Sequence, residues 1–504
     1  MAQIFPNDIQ AHLLQHYDQE SLDRLSACLS RPPQSLCVRV NTARTEALAF
    51  LPKLRNVLEE IADSSSRGWV CNIDPIIADA VFIRLPEEAA LAADGISRPD
   101  KSCGREVVVS RKCGEGVLRG ADVFVPGVLS TSRKAAAKDI VTVLCDVEDQ
   151  LCRGCSTEIL STHTISPKSL KGKQKPRMKP TSEHLDHAHR SEDLVPREHE
   201  PTADGLGELP DGILLLGYGQ LELTRSDIFS RRKGLAVRML HTQLPFPPMN
   251  GLLPDLMYLQ NFPSIVTAHV LGPQAGERIL DMCAAPGGKA SHLAALLRGT
   301  GEVVALDRSA SKVAEIRQLA ARLNLRNLSA YCCDATLAVA ASGAAAGPLV
   351  KAGKQVHVTF EPESFDCVLL DAPCSALGLR PRLKVALTAI ELHGMAVYQR
   401  QLICAAISLL RVGGRLVYST CTINPEENEG NVSHLLAAFP CMELRPALPC
   451  VGGPGLLGAG LTRNQASLVQ RFEPGACAYD TNGFFIASFV KTSSNQSTSN
   501  AQST

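Results

Sequence analysis

A single tryptophan, Trp69, and an aromatic content of 4% leave this chain of 504 residues few side chains for long base-stacking platforms. It has no apolar run approaching about 18 residues and no signal-like start, so neither a membrane span nor a secretory leader is expected. An excess of one charge is lacking too: 51 Lys+Arg balance 51 Asp+Glu, so any basic surface must be local. Cysteine, by contrast, is plentiful. With 18 of them and no secretory feature, reduced thiols in a cytoplasmic protein are expected, with thiolate chemistry available. Hydrophobic residues make up 45% of the chain, enough for a sizeable core, and the length suits two or three domains.

The first hundred residues open with a helical pattern over Asp8–Leu29, stopped by Pro32-Pro33, and a strand-like alternation over Cys37–Asn41. Arg39 and Asn41 could contact substrate, but a paired surface arginine and a turn asparagine are the plainer expectation. Residues 104–235 change character. Short β-branched runs (Val107–Val109, Asp122–Val125, Ile140–Leu144, Ile213–Leu216) separated by Gly and Pro predict a small β-rich domain, with Gly116–Pro126 as a hairpin-rich face carrying Arg119 and Phe124. A stretch over about 156–210, basic and then His- and acid-rich, has almost no apolar content and is expected to be a disordered insertion. Its basic half could tether RNA or simply be solvated. Cys152-x-x-Cys155 could ligate zinc with His184, His187 or Cys145, but no second closely spaced pair exists and no metal is expected.

From residue 236 to 491 strands alternate with helices, the pattern of a mainly parallel, doubly wound sheet, and a Ser/Thr/Asn/Gln tail follows over 492–504 that is expected to be disordered. At the centre stands Asp281–Lys289 (DMCAAPGGK) between a short strand and an apolar helix. Gly287 and Gly288 let the backbone approach a ligand, and the helix offers its N-terminus. Asp307 follows Gly288 by 19 residues, the spacing of a carboxylate that takes ribose hydroxyls. There is no G-x-G-x-x-G, so a dinucleotide fits less well than S-adenosylmethionine, which has no pyrophosphate. The same features also fit a bare strand–helix turn and a helix cap.

Asp281, Asp307, Asp334, Asp371 and Cys421 are all expected at strand carboxyl ends, where such sheets bind ligands. Asp371-Ala372-Pro373-Cys374 and Ser419-Thr420-Cys421 each place a thiol just past a strand. One buried thiol would mean little. Two beside a cofactor loop suit methylation of cytosine at C5, a weakly nucleophilic carbon that is activated when a thiolate adds to C6. An acid must then neutralise charge on the ring, and a second group must assist release. The residues alone do not say which cysteine does which job.

DMCAAPGGK, FDCVLLDAPCS and LVYSTCTINPEENE, in that order, resemble the Nol/Nop/Sun family of RNA cytosine-5 methyltransferases. The resemblance implies a Rossmann-like α/β catalytic domain using S-adenosyl-L-methionine. It makes Cys421 the nucleophile and Cys374 the release residue, with Asp371 on the target cytosine and Lys289 close to both substrate and cofactor. The cofactor loop carries over as Cys283, Ala284, Ala285, Pro286, Gly287, Gly288 and Lys289, with Asp307 on the ribose, Asp334 by the adenine and Asp371 alongside. Cys37–Thr42, the β-rich insert, Tyr258–Ser264 and the closing GFFIASF look like the member with a PUA domain. That implies an N-terminal segment (1–103) packing with the catalytic domain (236–491), and a PUA-like domain (104–235) that binds tRNA, with Arg119 and Phe124 as candidates. The implied target is a cytosine near the 3′ CCA end of tRNA (tRNA Cys and Thr), with mRNA sites besides; the protein would act as a monomer, without membrane or metal. Ala376 departs from the family's glycine and Ala290 from its threonine. Phe124 stands where tyrosine is common, and Cys152-Arg153 where two lysines are expected. A non-catalytic RNA-assembly factor, or the same chemistry on ribosomal RNA, are the alternatives.

Overall fold

The computed structural model describes residues 4–62, 68–84, 105–155, 209–242, 249, 251–340, 347–349, 357–475 and 479–494. The insertion expected over 156–210 lies outside them as far as residue 208, with His184 and His187, and so does the tail from residue 495. The chain divides into two compact units, Met1–Ala92 with Phe246–Thr504, and Ala93–Pro245.

The first unit is built on an eight-stranded sheet. Leu328–Cys332, Glu302–Asp307, Arg278–Asp281, Phe365–Asp371 and Leu410–Thr420 lie side by side in that order, all parallel. Phe484–Lys491 adds antiparallel to the last of these, and Met442–Arg445 and Gln470–Phe472 pair with it. Neighbouring side chains Ile279 and Leu280 fall in different apolar clusters, one on each face, as a strand covered on both sides requires. Strand order reverses between Arg278–Asp281 and Phe365–Asp371, a switch point at which the carboxyl ends open a crevice.

The N-terminal segment is part of this unit. Ser35–Val40 pairs antiparallel with Met257–Leu259 on one side and Ala80–Arg84 on the other. The one helical region expected over Asp8–Leu29 is two helices, Asn7–Leu13 and Gln19–Leu29, because Asp18 accepts from Ser21 N–H at 2.7 Å and caps a new start. Arg39 and Asn41, expected at the surface and in a turn, are 1% and 2% exposed. Arg39 donates to Gln260 Oε1 at 2.6 Å, to Ser291 Oγ at 3.0 Å and to the Gly288 carbonyl. Asn41 Nδ2 donates to the carbonyls of Asp255 at 2.8 Å and Leu323 at 3.1 Å. Buried polar groups need such partners. Arg39 fastens the segment to the helix Gly288–Leu296, and Asn41 fastens it to the end of the helix Ala310–Arg322.

Asp79 adds a second fastening. His269 Nε2 and His292 Nε2 each lie 2.7 Å from one of its oxygens. Among the described residues this is the one group of metal-ligand type whose ligand atoms lie within 4.8 Å of one another. Burial works against the Asp79 carboxylate, but the two imidazoles hold its carboxyl well below the usual range. Burial in turn lowers His292 from 6.5 to about 4. The unfolded chain therefore takes up a proton at His292 that the folded one refuses, and stability should fall as pH drops from about 6.5 to 4. We expect the urea midpoint to fall between pH 7 and 5, and to fall less in His292→Gln; an identical fall in both contradicts the assignment.

The second unit is a six-stranded sheet in the order Val123–Phe124, Leu235–Thr242, Ile213–Leu221, Ile140–Asp146, Glu106–Ser110, Val128–Thr131. Glu106–Ser110 and Ile140–Asp146 run parallel, the other pairs antiparallel. Gly116–Pro126, expected as hairpins, begins inside a helix, Arg111–Leu118. Glycine is a poor helix former, but at Gly114 a Cβ would collide with Cys145 Sγ, so packing against the strand requires it.

Candidate active site

Asp281 ends its strand, and the chain turns through Cys283, Ala284, Ala285 and Pro286 into the helix Gly288–Leu296. The turn is held by Ala284 N–H on Leu306 O (2.8 Å) and Gly287 N–H on Ala284 O (2.7 Å). Gly287 has φ +105°, and a Cβ there would press to 3.2 Å from Leu319 Cδ2, so glycine is required. Ala290, by contrast, is fully buried in the apolar cluster on that face of the sheet, so this departure from the family pattern is a core position.

Four carboxylates converge on the turn. Asp281, Asp307 and Asp371 end their strands, and Asp334 lies two residues past Leu328–Cys332. Burial, and then all four of these charges, push the Cys283 thiol far above its ordinary value. Asp307 and Asp334 use Oδ1 on their own turns, accepting from Ser309 N–H (2.8 Å) and Thr336 N–H (3.0 Å). Asp281 is 1% exposed and neither of its oxygens has a hydrogen bond of normal geometry. Burial, helped by the charge of Asp371, raises its carboxyl to about 7. A buried carboxyl left unpaired is costly and points to a ligand that completes it.

Across the crevice, Lys289 Nζ donates to Asp371 Oδ2 at 2.7 Å and to Ser264 Oγ at 3.2 Å, and lies 5.1 Å from the centre of the Phe484 ring. Ser419 Oγ donates to the other oxygen of Asp371 at 2.7 Å. Beside this pair the sulfurs of Cys374 and Cys421 are 3.4 Å apart. The two thiols are not equivalent. The sulfur–sulfur hydrogen bond, aided by the Lys289 charge, lowers Cys421 against burial, Asp371 and Glu427. The same hydrogen bond and burial raise Cys374 well above its ordinary value. The arrangement supplies a thiolate with a thiol donor against it, a carboxylate with two fixed donors and, one strand away, a cradle for a cofactor.

The loop after Cys374 is tight. Gly378 N–H donates to Cys421 O at 3.0 Å, and a Cβ on Gly378 would collide with the Gly483 carbonyl. Ala376 sits at φ +55°, the left-handed region that favours glycine, so this departure stores backbone strain of about 1 kcal/mol beside the thiols. Sequence reasoning did not mark Asp79, set Arg39 down as a surface arginine with substrate contact as the other option, and gave Ser264 and Ser419 only within longer stretches. Their partners lie 25 to 252 residues away, and no local pattern signals them.

In the second unit Arg119 and Phe124 are exposed, Phe124 by 52%. Arg153 is spent on the fold: its guanidinium donates to the carbonyls of Val125, Val128 and Ile228 at 2.7–2.9 Å. Cys152 and Cys155 face each other at 3.5 Å, whereas Cys145 is buried and packs against Gly114.

Residues 268–490 match the family model described as 16S rRNA methyltransferase RsmB/F. The mouse tRNA (cytosine(72)-C(5))-methyltransferase NSUN6 is 34% identical over 94% of this chain and 90% of its own length. The Arabidopsis thaliana rRNA (cytosine-C(5))-methyltransferase NOP2C is 33% identical over 96% and 90%. The crystal structure of NSun6 from Pyrococcus horikoshii with SFG, an S-adenosylmethionine analogue, superposes with a TM-score of 0.67 at 25% identity, covering 97% of this chain and 99% of that one.

Proposed function

Because the chain belongs to the Nol/Nop/Sun (RsmB/F) family of S-adenosylmethionine-dependent RNA cytosine-5 methyltransferases, we propose that it forms 5-methylcytosine in the acceptor stem of tRNA, next to the 3′ CCA end. The observation that carries the chemistry is the pair of sulfurs 3.4 Å apart beside the Lys289–Asp371 ion pair, over the cofactor turn.

The residues fit the cofactor. An unpaired buried carboxyl at Asp281, with Asp307, Asp334 and Asp371 around the Cys283–Lys289 turn, suits a ligand carrying an ammonium and a sulfonium charge. Asp307 would hold the ribose and Asp334 the adenine end of the cofactor. When bound, the cofactor supplies an electrophilic methyl group.

Cys421 attacks C6 of the cytosine as the thiolate; Asp371 accepts from the N4 amino group, and the Lys289 ammonium held against Asp371 offsets the negative charge that builds on the ring. Lys289 holds Asp371 in place. C5 then carries the electron pair that takes the methyl group. The C5 proton passes to solvent, its electrons re-form C5=C6, and the C6–S bond breaks. Cys421 leaves as the thiolate it began as, and Cys374 S–H, 3.4 Å away, stabilises the departing sulfur.

The β-rich unit acts as the PUA domain, with Arg119 and Phe124 on the RNA. Because Arg153 is engaged with carbonyls, it does not replace the expected lysines. A target beside a stem terminus costs least to unstack. A cytoplasmic monomer suits an enzyme that needs two reduced thiols; among the described residues no helix is long and apolar enough to cross a membrane. The Arabidopsis relative's name supports ribosomal RNA as the second reading.

The test is methyl transfer from labelled S-adenosylmethionine to total cellular RNA, with bisulfite mapping. Label in tRNA at a cytosine beside the CCA end is expected. Label confined to ribosomal RNA selects the second reading, and none at all with tRNA still bound favours an assembly factor.

A further inference from the structure

Glu427 lies six residues beyond Cys421 and is completely buried. Four donors converge on it. Oε2 accepts from Ser375 N–H and Gln399 Nε2, both at 2.9 Å; Oε1 accepts from Ser375 Oγ at 2.5 Å and Asn424 Nδ2 at 3.0 Å. The two amides are oriented from behind. Gln399 Oε1 accepts from Asn431 Nδ2 (2.7 Å), and Asn424 Oδ1 accepts from Glu426 N–H (3.3 Å). Their NH₂ groups must therefore face Glu427. Burial raises its carboxyl, yet a pocket of donors is built for the anion.

That anion opposes ionisation of both thiols, and its shortest link through the chain runs to Cys374. Ser375, bonded to Cys374, gives Glu427 both its N–H and its O–H, and its Oγ lies 2.7 Å from Thr422 Oγ1, next to Cys421. Ser375 and Thr422 thus clasp the two cysteine loops together, with Glu427 bonded twice to Ser375 of one loop and once to Asn424 of the other. Lys289 and Asp371 act on Cys421 besides Glu427, and the Tyr418 hydroxyl donates to the Glu427 carbonyl at 2.6 Å.

We propose that Glu427 is a positioning residue that decides which of the two thiols carries the proton. It fixes the Ser375–Thr422 clasp and places a negative charge behind Cys374, so Cys374 stays the thiol and Cys421 the thiolate. This rests on the cysteine roles proposed above.

The test needs no RNA, since both thiols are part-exposed. Iodoacetamide labelling is followed from pH 6 to 9, with each site read by mass spectrometry. The intact protein should label Cys421 first. Glu427→Gln should lower the Cys421:Cys374 labelling ratio about tenfold, the equivalent of one pKa unit, and Glu427→Asp, which keeps the charge, should restore most of it. Because unfolding would also level the two thiols, the ratio is read only on variants whose circular dichroism matches that of the intact protein. If the intact protein labels Cys374 first, the cysteine roles fall. If it prefers Cys421 and Glu427→Gln keeps that preference, the Glu427 proposal falls. Should Glu427→Gln not fold, Ser375→Ala breaks the clasp with the charge in place. A lowered ratio there supports the proposal and an unchanged one overturns it.

Discussion

Cys374→Ala will turn over poorly and remain joined to its RNA. In the proposed mechanism the attacking group is the Cys421 thiolate and the methyl group comes from a cofactor held by a different loop, so bond formation goes on, slowed by loss of the hydrogen bond that lowers Cys421. Release is the step that loses its donor, the S–H that lies 3.4 Å from the departing sulfur. Turnover should fall by about 10²-fold or more, the usual worth of a positioned proton donor. A protein–RNA species should survive a denaturing gel and disappear in the Cys374→Ala/Cys421→Ala double variant. If no such species forms while methylation slows, Cys374 acts before the adduct and the release role is wrong.

Cys421→Ala has the largest expected effect. Without the nucleophile C5 is not activated, and the loss should be at least about 10⁴-fold in kcat. Cofactor affinity should be unchanged, because Cys283–Lys289, Asp307 and Asp334 sit on other strands. Substantial residual turnover would show that the thiolate is not the activating group. An equal loss of cofactor binding would show that the substitution had disturbed the sheet.

Much of the catalytic unit was legible because its signals are local. Strands that end on Asp281, Asp307 and Asp371 are short apolar runs with an acid at the end, and the sheet places those ends at one crevice. Cys374 and Cys421 each stand just past a strand, so strand order alone brings them together. The helix Ala389–Leu409 begins at a capping box of Thr388 and Glu391, a start that is local in the chain. Where the reading failed, the cause was distant. Arg39 looks like a surface residue until strand pairing carries it to Gln260, Gly288 and Ser291. Helix Arg111–Leu118 contains two glycines that read as turns; the Cys145 side chain explains Gly114, and nothing in the packing explains Gly116. The relation of Glu427 to Ser375 and Gln399 spans 52 and 28 residues and could be seen only after folding.

Tritium release from a tRNA transcript labelled at C5 of its cytosines probes activation through Cys421 without intermediaries. Attack at C6 followed by methyl transfer to C5 removes the C5 hydrogen once for every methyl group added. Tritium in the solvent should therefore equal methyl incorporated, with both lost in Cys421→Ala. Methyl incorporation with tritium retained would place the methyl group on another atom and contradict thiolate activation of C5.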